Sequence, residues 1–115
     1  MLLNFGGAVY ILELDDMTIC WDEDPGEDHE EKARAIQIAY KRNLRHIADL
    51  IFEDVKGIFS PKDTDEVIEK LGKPRIYADS GEVVYSENSF DGSHSICFEY
   101  YDDEFDDIEN ITVEG

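Results

Sequence analysis

The stretch DHEEKARAIQIAYKRNLRHIADLIFEDVKGIF, residues 28–59, decides how the rest of the chain is read. Within it Ile36, Tyr40, Leu44, Ile47, Ile51, Val55 and Ile58 recur at spacings of three and four, which places them on one face of a helix. Asp28 stands at the N-cap position, and Glu30 and Glu31 fall in the first turn, where carboxylates meet the positive end of the helix dipole. The spacing predicts one long helix over about 28–59, with Gly57 loosening its last turn. Beyond Ser60 and Pro61, Asp63 is placed to cap a short helix carrying Val67, Ile68 and Leu71, with Glu66 completing a capping box. Gly72 and Pro74 stop that helix.

On both sides of the helical segment the apolar period falls to two. Upstream, Ala8 to Leu14 follows the Gly6-Gly7 pair, Asp15 and Asp16 turn the chain, and Thr18 to Trp21 supplies a second strand, so the simplest arrangement is a hairpin. Residues 22–27, with Pro25 and Gly26, read as a loop. Downstream, Arg75 to Ala78 and Glu82 to Ser86 flank a turn at Asp79, Ser80 and Gly81. His94 to Tyr101 forms a strand with Ile96, Phe98 and Tyr100 on one face, and Ile108 to Val113 closes the series. The fold expected is therefore α+β: an antiparallel sheet of about six strands in the order ββααββββ, with one long and one short helix on one face. A length of 115 residues, 42% hydrophobic and 11% aromatic, suits one folded domain over residues 1–115.

Charge is the outlying property. Twenty-nine Asp and Glu stand against ten Lys and Arg, a formal net charge of -19. Residues 1–31 hold ten acids and no base, residues 76–115 hold twelve acids and no base, and all ten bases lie between Lys32 and Arg75. Strands and turns are thus expected to be strongly negative and the helical layer nearly balanced. Such a surface repels phosphate and anionic lipid, so neither nucleic acid nor membrane is an expected partner.

Two readings of the acids stand side by side: solvated faces that keep the protein soluble and blunt sheet edges, or a docking surface for a basic protein. The candidate residues for docking are Asp22, Glu23, Asp24, Asp102, Asp103, Glu104, Asp106 and Asp107, with Trp21, Tyr101 and Phe105 as aromatic anchors. The long helix also carries a second stripe, Arg34, Ile38, Lys41, Arg45, Phe52 and Lys56. Its basic groups snorkel while the second helix covers Ile38 and Phe52, or it forms a homo-oligomer contact with the acidic strands of another copy.

Motifs that would carry chemistry are sparse. The glycine pair opens a strand instead of a helix and lacks a following Lys-Ser/Thr, so no nucleotide loop is expected. Cys20, Cys97, His29, His46 and His94 show neither CxxC nor HxxxH spacing, and the acidic runs lack an EF-hand pattern, so no metal site or cofactor is expected. Two isolated cysteines suit reduced thiols, and the apolar N-terminal stretch has no basic n-region, so it reads as a strand in place of a signal peptide. The expectation is a cytoplasmic protein. Ser93 and Ser95 flank His94 and on a strand would point away from it, which favours a structural histidine over a hydrolase base.

The segment Phe90-Asp91-Gly92-Ser93-His94-Ser95-Ile96, together with the tail Ile111-Thr112-Val113-Glu114-Gly115, resembles the Phe-x-Gly-His-Ser-Ile strand entry and Ile-x-x-Gly-like tail of certain small bacterial domains. Here Ser93 stands as one extra residue between Gly92 and His94. Members of that group are found beside secreted polymorphic toxins, and some are suspected immunity proteins. The resemblance implies a non-enzymatic protector that occludes a basic toxin such as a nuclease. A self-associating module and, behind it, a small hydrolase using His94 are the alternatives.

Overall fold

The computed structural model describes the backbone of residues 2–5 and 9 and the whole of residues 10–90 and 93–114. The Gly6-Gly7 pair, Ala8, the Asp91-Gly92 step and Gly115 lie outside the described residues. Among the described residues seven strands form one sheet in sequence order: β1 (Leu2–Phe5), β2 (Val9–Glu13), β3 (Thr18–Trp21), β4 (Arg75–Tyr77), β5 (Glu82–Tyr85), β6 (Ser95–Tyr100) and β7 (Ile108–Glu114). Three helices, α1 (His29–Arg42), α2 (Leu44–Val55) and α3 (Thr64–Leu71), lie between β3 and β4.

The α+β class is as expected, and three details differ. The sheet has an additional first strand, β1, paired antiparallel to β2. It is not wholly antiparallel, because β3 and β4 are parallel neighbours. Parallel neighbours need a crossover, and the whole helical segment supplies it across one face. The single long helix is two, broken at Asn43 (φ -107°, ψ 11°). Asn competes for backbone hydrogen bonds and breaks helices readily, and here its side chain donates to the Phe105 carbonyl and to Asp106 Oδ1, both at 2.7 Å.

Local capping signals fared unevenly. Asp28 sits at the N-cap of α1 without a side-chain cap bond. Asp63 caps α3 by accepting from Glu66 N (2.9 Å), and the Glu66 carboxylate reaches back to Lys62 N (2.8 Å), one residue before the cap.

The pleat sorts the sheet into two unlike faces. Leu12, Ile19, Ile76, Val83 and Phe98 are successive cross-strand partners over β2 to β6, all buried in the core with Ile47, Ile51, Val55, Val67 and Leu71 of α2 and α3. Asn110 (φ 55°) forms a bulge in β7 that lets Ile108, Ile111 and Val113 all pack against that core. The opposite face carries the alternate residues, among them the free thiols Cys20 and Cys97. Across it Glu82 opposes Glu99, and Glu99 opposes Glu109. Of the anticipated helix face, Ile58 is 60% exposed, because it falls after α2 has ended.

Candidate functional site

The two acidic segments singled out from the sequence, 22–24 and 102–107, meet at one end of the sheet. β3 delivers the first as it ends at Trp21, and β6 delivers the second as it ends at Tyr100. Between them lies a cleft of about 490 Å³. Trp21, Tyr100 and Phe105 give it aromatic walls, Ala35 and Ile36 of α1 close one side, and Glu23, Asp24, Asp79 and Asp103 bring carboxylates to it. A second, shallower cleft of about 290 Å³ shares Ala78, Asp79, Tyr100 and Asp103 with the first.

Each acidic segment is held by its own chemistry. Asp79, in the β4–β5 turn, accepts from Asp22 N (2.7 Å) and Glu23 N (3.1 Å), and Asp24 Oδ1 accepts from Gly26 N (2.9 Å). Asp102 Oδ1 accepts from Asp106 N and Asp107 N, both at 3.0 Å, which folds residues 102–107 into a tight loop. That loop is moored to the break between α1 and α2 by Arg42 to Glu104 (3.2 Å), by Asn43, and by His46 Nε2 to the Asp106 carbonyl (3.2 Å). The helix break is thus what positions the second acidic loop.

The candidate residues therefore play different parts from one another. Trp21 is 5% exposed and Phe105 1%, so neither is a projecting anchor; they are core residues whose edges wall the cleft. Phe105 adopts φ 59°, a left-handed conformation uncommon for an aromatic residue, while packing edge-on to Tyr40 (5.7 Å between centroids) and close to Tyr100 (4.4 Å). Tyr101 is the exposed aromatic, at 55%, with its hydroxyl donating to Glu99 (2.5 Å). Asp102 is a half-buried organiser of its loop, Glu104 and Asp106 are tied to the helices, and Asp22, Glu23, Asp24, Asp103 and Asp107 are exposed. Asp79 and Tyr100, which join the two acidic segments, were not singled out from the sequence. Their signal was present in the turn at 79–81 and in the end of the aromatic strand, but their meeting is a product of the sheet.

Electrostatically the helical cations are largely spoken for. Lys41 pairs with Asp16 (2.6 Å), Lys32 with Asp28 (3.5 Å), Arg42 with Glu104, Arg45 with Asp65, Lys56 with Glu53 (2.8 Å) and Lys70 with Glu66 (3.2 Å). The Lys41 ammonium beside Asp16 holds that carboxyl below the usual range. Among the described residues, Asp16, Asp28 and Glu104 are the only acids of the two flanks in an ion pair, so most of the negative field stays uncompensated. Burial, then the charges of Asp103 and Asp79, push the Tyr100 phenol up to about 12. The stripe on the helices is less covered than anticipated: Ile38 is 51% exposed, whereas Phe52 is half-buried against the core.

His94 packs edge-on to Phe59 (6.5 Å between centroids), and Phe59 stacks on Phe90 (5.2 Å), at a place the two clefts do not reach. Among the described residues no group of three His, Cys, Asp or Glu side chains is arranged to hold a metal ion, and no helix is long and apolar enough to cross a membrane. Compared with known proteins, the chain matches no family model, no curated protein and no solved structure.

Proposed function

We propose that this is a non-enzymatic binding protein that captures a cationic protein, in the manner of an immunity protein occluding a basic toxin such as a nuclease. One observation carries the reading: acidic segments some eighty residues apart converge on one aromatic-walled cleft and are left mostly without cations of their own. A concentrated field of one sign speeds encounter with an oppositely charged partner and rejects like-charged ones. Self-repulsion is the cost of such a field; solubility alone would be served by acids spread over the surface, whereas a binding role explains their gathering around one cleft. The self-associating alternative, through Arg34, Lys41 and Arg45, is weakened because Lys41 and Arg45 already hold Asp16 and Asp65.

The test is retrieval of partners from the native host by the tagged full chain, at low and at high salt, followed by reconstitution with the purified partner. The expected result is a basic protein held at low salt and loosened by salt, whose toxic activity is blocked in one-to-one complex. Retrieval of no basic protein at either salt would overturn the proposal.

A further inference from the structure

We infer that the cleft between Trp21 and Tyr100 is the receptacle for an arginine side chain presented by that cationic partner. The inference rests on the binding reading above and names the group that the site takes. Three independent features point to it. The cleft is a half-open concavity of about 490 Å³, within the range of ligand pockets, and not merely a run of surface acids. Its walls include the edges of Trp21 and Phe105 and the half-buried Tyr100, which lines both adjoining clefts. Its carboxylates come from three separate loops: Glu23 after β3, Asp79 between β4 and β5, and Asp103 after β6.

Among the described residues Lys32 is the one cation in the lining, set against four carboxylates. Its ammonium donates to the Pro25 carbonyl (2.7 Å) and pairs with Asp28 (3.5 Å). Asp79 spends one oxygen on the backbone of Asp22 and Glu23 and Asp24 spends one on Gly26 N, which leaves Glu23 and Asp103 as the cleft carboxylates with both oxygens open to a visitor. A guanidinium suits this arrangement better than an ammonium. It is planar, so it can lie against the half-buried Tyr100, sheds water more readily, and offers several N–H donors in a fixed fork to carboxylates on different sides. An ammonium would find the same charge and some attraction to the rings, but it has no planar fork with which to bridge carboxylates on different sides.

Trp21 is the only tryptophan in the chain, so its emission reports on the cleft directly. The experiment titrates the full chain at low salt with a capped oligoarginine peptide, an oligolysine peptide of equal length, and spermine. The expected result is a saturable change in emission with oligoarginine binding several-fold tighter than oligolysine. Glu23→Gln with Asp103→Asn should weaken oligoarginine roughly tenfold, as loss of two partly exposed charge contacts implies. Glu69→Gln with Glu87→Gln removes the same charge at the opposite end of the sheet, and in a repeat titration at about 0.1 M salt, where screening reaches about 10 Å, should leave binding within about twofold. Equal weakening by both double variants, or equal binding of the two peptides, would overturn the cleft assignment while leaving the cationic-partner reading standing. Tighter binding of spermine than of oligoarginine would also overturn it, by making the occupant a free polyamine. Binding of none of the three would sink both ideas.

Discussion

The buried tyrosine pair that ties α1 to the sheet offers the sharpest test of the fold. Tyr40 and Tyr85 meet hydroxyl to hydroxyl at 2.6 Å inside the core, and burial raises both phenols above their ordinary range. Among the described residues no buried side-chain polar atom lacks a partner, and these two hydroxyls are each other's, one donating and one accepting. Replacing one with Phe deletes a hydrogen bond worth about 1 kcal/mol net and strands the remaining hydroxyl, which adds roughly 1–3 kcal/mol. Tyr40→Phe and Tyr85→Phe should therefore each cost about 2 kcal/mol, a loss of roughly 8 °C in Tm for a chain of this size. The double variant strands nothing and keeps both rings, so it should cost no more than about 1 kcal/mol. Urea unfolding of the four proteins gives the coupling energy, expected at about 3 kcal/mol, the top of the usual range for neighbours. A double variant whose cost equals the sum of the two singles would refute the reasoning, because it would mean the hydroxyls do not depend on one another.

Other outcomes follow from the same physics. Glu82 faces Glu99 directly across β5 and β6, so Glu82→Lys should stabilise the protein by up to about 1 kcal/mol at low salt, with the gain shrinking as salt is added; a loss of stability in urea would count against the like-charge row. Gly81 has φ 74°, and a Cβ there would stand 2.7 Å from the Tyr100 carbonyl, so Gly81→Ala should cost at least about 1 kcal/mol and disturb Trp21 emission, whereas an unchanged melting curve would argue against the turn. The Tyr100 phenol, raised to about 12 from 10.0, contributes stability that is whole below pH 10 and lost as pH rises through 12. Tyrosinate absorbance should accordingly show a late-titrating group that moves to lower pH in Asp103→Asn; an unmoved curve would separate that carboxylate from the ring.

Much of the fold was legible because its signals are local. The period of two in residues 9–13, 75–85 and 95–100, the period of three to four in residues 36–55, and the cap at Asp63 each depend on neighbours within a turn or a strand. The charge asymmetry was equally plain, since it needs only counting along the chain. The break at Asn43 escaped because the apolar spacing runs through it unbroken; what stops the helix is a pair of bonds to residues more than sixty positions away. The parallel pairing of β3 with β4 escaped for a related reason, because strand direction is set by where the crossover lands and not by side-chain alternation.

For the site, residue types were readable and their roles were not. Sequence by itself determined an acidic protein with aromatic residues set among its carboxylates, because composition and adjacency are properties of the chain. Tertiary structure alone decided that Trp21 and Phe105 turn inward, that Tyr101 turns outward, and that Asp79 joins Glu23 and Asp103 around one cleft. The physical reason is that a strand fixes which face a side chain takes only once the sheet has chosen its core, and a cleft exists only where the ends of several strands come together.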